Sequence, residues 1–107
     1  LGNAASARDV AKEELYALSE GLADCSASWS FNSILAEKIA KDKTTAKALE
    51  EQANGAKMAA AWVAFKHELI PDLALAMQFA EERVRATLVK RTAQAMKLVM
   101  LGRRKRR

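Results

Sequence analysis

The side chains able to carry out chemistry are few in this chain, and they form no complete catalytic or metal-binding motif. His67-Glu68 begins the H-E-x-x-H pattern of zinc proteases, but Pro71 stands where the second histidine is required. His67 is the only histidine and Cys25 the only cysteine, which excludes a di-iron bundle site, a Cys/His zinc site and an internal disulfide. We therefore predict that the protein is not an enzyme and uses no metal and no cofactor.

The chemistry that the sequence does offer is electrostatic. Residues 83–107 contain 10 Lys or Arg and no Asp or Glu, a net of +10, whereas residues 1–82 contain 8 Lys or Arg and 13 Asp or Glu, a net of −5. The two segments together give the formal net charge of +5. So concentrated a basic segment needs an anion beside it, or water and salt. A solubilising, disordered tail is the alternative that requires no ligand.

One long helix is expected to position these basic residues. Apolar side chains recur at intervals of 4, 7, 4, 7 and 4, an eleven-residue repeat that keeps them on one face of a nearly straight helix. They are Leu73, Met77, Val84, Leu88, Ala95 and Val99. Pro71 suits the first helical position and Gly102 suits the C-terminal stop. The spacing predicts a helix over 71–101, followed by a basic tail over 102–107.

Three shorter helices are expected before the long one. An apolar stripe at intervals of 4, 3, 4 and 3 predicts a helix over 7–24, and Cys25 closes this stripe as a small buried side chain. The Ser-rich stretch 26–33 is interpreted as a connection. A second helix over 33–53, with a break or kink at 41–45, should end at Asn54-Gly55 because glycine suits the left-handed cap. A third helix should cover 56–70.

The fold class predicted from these patterns is all-α, since no alternating strand pattern and no hairpin turn is present. We expect a small bundle of about four helices as one domain over 1–101. Pro71 is either a turn, which gives four antiparallel helices, or a kink, which gives one bent rod beside two shorter helices. The core should contain the large apolar side chains of the shorter helices: Leu15, Leu18, Leu22, Leu35, Ile39, Trp62, Phe65 and Leu69.

The leading functional hypothesis is a nucleic-acid-associated or packaging protein that binds the phosphate backbone. Phosphate contacts position a protein without reading bases, so little sequence specificity is expected. The basic C-terminal helix and tail supply the predicted contacts: Arg83, Arg85, Lys90, Arg91, Lys97, Arg103, Arg104, Lys105, Arg106 and Arg107.

The alternative is a structural subunit of a larger complex, with the long helix on partner chains and the tail on an acidic surface. The predicted partner interface consists of apolar residues that the short helices do not reach: Val84, Leu88, Met96, Val99, Met100 and Leu101. Because that part of the helix lacks an intramolecular partner, we expect a dimer or a larger assembly. A membrane surface is a weaker third candidate, since only 98–101 is apolar before the basic cluster and stable anchoring needs more than one signal.

The compartment is not predicted. The chain begins with Leu1-Gly2 instead of methionine, which indicates a processed product or a fragment, so the lack of a targeting peptide carries no information.

Overall fold

Three helices make up the fold. The computed structural model describes the backbone of residues 2–106 and the side chains of residues 11–104. The helices are α1, Gly2–Lys38, α2, Lys43–Lys66, and α3, Leu73–Arg106. The all-α prediction and the long C-terminal helix are confirmed, and the described backbone contains no strand. The expected number of about four helices is wrong, because the breaks expected at 26–33 and 54–55 lie inside continuous helices. The break or kink expected at 41–45 corresponds to the connection between α1 and α2, residues 39–42.

The Ser-rich stretch 26–33 is part of α1 and not a connection. Serine usually disfavours helix interiors because its hydroxyl competes for the local backbone. Here Ser26 and Ser33 instead donate their hydroxyl hydrogens to carbonyl oxygens of α2, at 2.6 Å to Ala53 O and 2.6 Å to Ala46 O. Contacts with the neighbouring helix therefore explain why this stretch stays helical.

Asn54-Gly55 does not end a helix, since α2 runs through it to Lys66. No glycine in the described chain has a positive φ, so Gly55 does not form the expected left-handed cap. A glycine inside a helix costs about 1 kcal/mol relative to alanine. The packing of the adjacent Ala53, which is 3% exposed, offsets that cost.

Both chain reversals lie where capping residues are present. Lys41 has φ 57°, and Asp42 caps α2 by accepting a hydrogen bond from the Thr45 N–H at 3.0 Å. The second reversal follows Glu68, which has φ 58°, and Asp72 caps α3 by accepting from the Ala74 N–H at 2.8 Å. Pro71 is thus part of a turn between two helices, and the kinked-rod alternative is wrong.

The α1–α2 pair is an antiparallel hairpin joined through small side chains. Ser19 donates to Ala60 O at 2.8 Å, and the Ser26 and Ser33 bonds follow at intervals of seven residues along both helices. All buried residues in the described part of the chain are alanine or serine: Ser19, Ala23, Ser26, Ala27, Ala46, Ala53, Ala60, Ala61, Ala64, Ala76 and Ala80.

The predicted core of large side chains is therefore wrong. Trp62 is 53% exposed and Ile39 74% exposed, and Leu18 and Leu35 are exposed as well. Leu15, Leu22, Phe65 and Leu69 are half-buried at the margin of the alanine cluster. Cys25, expected to be buried, is exposed. The heptad of serine and alanine occupies the contact face, so the larger side chains lie on the flanks.

Helix α3 packs on this hairpin through its first half only. Ala76 and Ala80 are fully buried against α1 and α2, with Met77 and Val84 packed beside them. From residue 89 to residue 104 every described side chain is exposed except the half-buried Ala95. Gly102 does not end the helix, which continues to Arg106. Residues 102–106, expected to form a separate tail, are consequently part of α3. The molecule measures 65 × 32 × 17 Å.

Candidate polyanion-binding helix

Arg83, the first predicted phosphate contact, is held by two carboxylates of α1. Its Nε and Nη2 atoms donate to Asp24 at 2.9 and 3.1 Å, and its Nη1 lies 3.0 Å from Glu20 Oε2. Thr87 also donates to Asp24, at 2.7 Å. This bidentate geometry fixes the guanidinium in one orientation. Arg83 therefore fastens α3 to α1, and its guanidinium is not directed at an external anion.

Contacts within this cluster shift the pKa values of Asp24 and Arg83. The hydrogen bond from Arg83 holds the pKa of Asp24 below its ordinary value; partial burial opposes this effect, and the bond from Thr87 adds to it. Asp24 in turn raises the pKa of Arg83. Both side chains are about two-fifths exposed, at 40% and 42%, so solvent screens this pair and its contribution to stability is modest.

The other described basic residues of α3 are arranged differently. They are Arg85, Lys90, Arg91, Lys97, Arg103 and Arg104, and all are exposed. None of them makes an ion pair within 4.0 Å among the described side chains, in contrast to Lys57, which lies 3.7 Å from Glu81. The side chains of Lys105 and Arg106, and all of Arg107, lie outside the described residues. An exposed cationic helix of this kind is available to an anion.

Some of the basic side chains of α3 form one row along the helix, and the others lie on different sides of it. Lys90, Lys97 and Arg104 follow one another at intervals of seven residues, which drifts by only about 20° per step around a helix. Arg85, Arg91 and Arg103 lie on other sides. From Arg85 to Arg106 the helix is about 32 Å long at ~1.5 Å per residue. Phosphates can therefore approach it from more than one direction.

The predicted partner interface is divided by the structure. Val84 packs against the alanine cluster of its own chain, and Leu88 is half-buried beside it, in a shallow groove also lined by Lys57, Glu81 and Arg85. The other four members are exposed: Met96 at 61%, Val99 at 56%, Met100 at 58% and Leu101 at 53%. The hairpin therefore covers α3 as far as Leu88 and leaves the helix beyond it uncovered.

Two further apolar side chains of α3 are exposed: Val89, which the sequence analysis did not identify, and Leu98, which it considered only for the membrane candidate. Val89 is 65% exposed and Leu98 71% exposed. The eleven-residue stripe used for prediction leaves Val89 off its line. A second periodicity, with Val89, Ala93, Met96 and Met100 at intervals of 4, 3 and 4, would have indicated Val89 as part of another face.

The apolar side chains of this helical end do not share one face. Met96 and Leu98 are two positions apart, so they point about 160° away from each other around the helix. A helix that lies on a membrane surface concentrates its apolar side chains on one side, and this arrangement does not favour that candidate. No described helix combines the length and apolar character needed to cross a bilayer.

Nucleophilic and metal-ligating groups are dispersed over the described part of the chain. No three His, Cys, Asp or Glu side chains come together there in a way that could hold a metal ion. His67 lies in the turn between α2 and α3, and Cys25 lies on α1. The absence of an enzymatic activity stays a prediction.

Comparison with known proteins adds no functional assignment. The chain matches no known protein family, no curated protein and no solved structure. The functional argument therefore rests on the charge and exposure of α3.

Proposed function

We propose that the protein is a non-enzymatic polyanion-binding protein that holds the phosphate backbone of nucleic acid along the C-terminal half of α3. The observation that carries this proposal is the continuous basic helix from Arg85 to Arg106, on which no acidic residue occurs. Its described basic side chains, from Arg85 to Arg104, are all exposed. The hairpin, which holds most of the acidic residues, lies against the first half of α3 and leaves this end uncovered.

The proposed contacts are the exposed basic side chains and the terminal cluster 103–107. Arg83 is excluded from them because Asp24 and Glu20 already bind its guanidinium. Releasing condensed counterions drives such binding, so affinity should fall as salt rises. The apolar side chains between the basic ones do not read base edges, and the proposed binding is therefore independent of sequence.

The test is the salt dependence of binding to duplex DNA. Each neutralised phosphate contributes about −0.9 to the slope of log K against log salt. Deleting residues 103–107 should make the slope less steep by about 4.5 if all five residues contact phosphate. The double variant Arg85→Gln/Arg91→Gln should reduce it by about 1.8.

A matched control separates local contacts from total charge. Lys41→Gln/Lys43→Gln removes the same number of positive charges from the α1–α2 turn, and its slope should equal that of the wild type. If the deletion leaves affinity and slope unchanged, the phosphate contacts of residues 103–107 are excluded and the proposal is wrong in its main claim. Equal losses in the control and in the α3 variants would show that net charge alone, and not this helix, attracts the polymer.

A second candidate function is favoured by the exposed apolar side chains of the same helical end. Met96 lies on one side of the helix and Leu98 and Leu101 on another, and all three are more than half exposed. Binding to phosphate does not need them, whereas a subunit surrounded by partner chains does. In that case the tail docks on an acidic surface of a partner protein. Polyglutamate should then compete with that partner for the tail at a salt concentration at which duplex DNA does not compete.

A further inference from the structure

The outward side of α3 carries an apolar stripe that neither the core nor the proposed phosphate contacts use. Its positions alternate at intervals of four and three residues, the spacing that lets two helices wind around each other. We call these residues the outer stripe: Leu75, Phe79, Glu82, Ala86, Val89, Ala93, Met96 and Met100. Only Glu82 among the eight is polar.

Seven of the eight residues of the outer stripe are exposed in the single chain, and Phe79 is half-buried. Val89 lies about 180° around the helix from Ala80, which is fully buried against the hairpin. Leu75 is 50% exposed, Val89 65%, Met96 61% and Met100 58%. The first half of α3 thus packs on α1 and α2 with one side while its opposite side presents a second contact face.

The basic side chains along one edge of the outer stripe are neutralised only at its first position. This edge consists of Arg83, Lys90, Lys97 and Arg104, spaced seven residues apart. At Arg83 the chain supplies its own counter-charges, since Asp24 and Glu20 of α1 bind that side chain. The two carboxylates offset the charge of Arg83, so this position is less positive than the three that follow, and Asp72 lies in the turn before α3. The later three positions are basic and have no carboxylate within ion-pair distance among the described side chains.

We propose that the outer stripe binds the outer stripe of a second copy of this chain in an antiparallel, two-fold symmetric dimer. In the register in which each of the eight positions lies opposite a stripe position of the other copy, Leu75 faces Met100 and Phe79 faces Met96. Glu82 then faces Ala93, and Ala86 faces Val89 next to the two-fold axis. A closed pair of this kind uses one patch on both copies and leaves no further patch to extend the assembly.

Charge complementarity determines the antiparallel direction. A parallel pair would place the two basic halves side by side and Glu82 against its own copy. In the antiparallel pair, the two-fold axis places this edge of one copy against the same edge of the other copy, and the two helices run in opposite directions. Lys90 of one copy then approaches the Asp24–Glu20 pair of the other, and Arg104 approaches Asp72. Two of the three basic positions of this edge therefore face carboxylates of the partner copy.

The dimer does not rest on the proposed nucleic-acid binding. Arg85 and Arg91 lie off the basic edge and stay accessible to a polyanion in the pair. The two proposals therefore fail separately, because dimerisation is measured without nucleic acid.

The first test measures the size of the protein by sedimentation velocity at micromolar concentration. The wild type should sediment as a dimer, and Val89→Asp/Met96→Asp should sediment as a monomer with unchanged far-ultraviolet circular dichroism. The matched control is Leu98→Asp, because Leu98 is even more exposed, at 71%, but points away from the outer stripe; it should remain a dimer. A monomeric wild type, a dimeric double variant or a monomeric control would each overturn the proposal.

The second test determines direction and register by cross-linking in a Cys25→Ser background. Leu75 and Met100 are 25 residues apart, about 38 Å along one helix, so cysteines at these positions cannot join within a chain. Mixing the Leu75→Cys and Met100→Cys variants should produce a covalent heterodimer under mild oxidation. Disulfides formed by Met100→Cys alone, without the mixed product, would show a parallel pair and overturn the proposal.

Discussion

The α1–α2 hairpin and the C-terminal half of α3 are both helical and both rich in apolar residues, yet they are stabilised differently. In the hairpin, alanine and serine at heptad spacing are fully buried and bonded across the contact, as in Ser19 with Ala60. Beyond Leu88, the side chains of α3 are larger but almost all exposed. In this protein the small side chains form the buried core, whereas the large ones either lie at its margin or, in the second half of α3, are exposed.

The largest effect should come from enlarging a buried alanine in the hairpin. Ala60 is 0% exposed, and its carbonyl accepts the Ser19 hydroxyl, so Ala60→Leu must push α1 and α2 apart. Overpacking of a tight core costs about 1–3 kcal/mol, and we expect a value near the upper end by urea denaturation. Ala48→Leu is the control, because Ala48 is exposed on the same helix and should change the unfolding free energy by less than about 0.5 kcal/mol.

Removing one hydroxyl from the hairpin contact should have a smaller effect. Ser26→Ala deletes the 2.6 Å bond to Ala53 O while keeping a small side chain at the contact. A hydrogen bond of this kind contributes about 1 kcal/mol, which urea denaturation resolves. Ser30→Ala, at a half-buried position of the same helix, should be closer to neutral. Equal losses in the two variants would indicate that α1 loses stability for another reason.

The Asp24–Arg83 contact, where the two regions meet, should contribute less and in a pH-dependent way. Because the folded-state pKa of Asp24 is lowered, its contribution is present above the unfolded-state pKa of about 3.9 and is lost as the pH falls through the lowered value. Asp24→Asn should therefore be less stable than the wild type at neutral pH, by at most about 1 kcal/mol after solvent screening.

Thermal denaturation at several pH values measures this difference. The gap between wild type and Asp24→Asn should be constant from pH 7 to about pH 5 and should narrow below about pH 4. A gap that is unchanged in strong acid would mean that the asparagine side chain disturbs packing and that charge is not the cause.

The smallest effect is expected at the far end of α3. Gly102 is helical, and a methyl group added to its Cα would meet nothing within 4 Å, so Gly102→Ala introduces no clash. Alanine favours the helix by about 0.8–1 kcal/mol locally, and circular dichroism should show slightly more helix. The unfolding free energy should stay within about 0.5 kcal/mol of the wild type, because this end does not pack on the hairpin. A large global stabilisation would show that the end is coupled to the core.

Some elements could be predicted from local sequence because their causes are local. The long helix after Pro71 follows from sustained apolar spacing and is confirmed. Proline chemistry marked position 71 as an irregularity but did not decide between a turn and a kink. The continuation of α1 through 26–33 and of α2 through Asn54-Gly55 could not be predicted in this way, since contacts and hydrogen bonds between the two helices decide it. Gly102 permits a helix stop but does not impose one, and the helix continues past it.

The candidate site shows the same division. The segregation of charge, net +10 over residues 83–107, is a property of the sequence alone. Which basic side chains remain exposed depends on packing: only the folded hairpin brings Asp24 and Glu20 to Arg83 and leaves Lys90 and Lys97 without such partners among the described side chains. Counting charges along a chain does not reveal a contact between residues about sixty positions apart.

By itself, the sequence determined that the protein is helical, that its last helix is long, and that its positive charge lies at one end, because propensity, periodicity and charge are local quantities. Tertiary structure alone decided that alanine and serine, and not Trp62 or Leu18, form the core. The physical reason is that two helices approach most closely where their facing side chains are small. The seven-residue serine and alanine repeat supplies such a face, and the hydroxyl bonds across it set the register of α1 on α2.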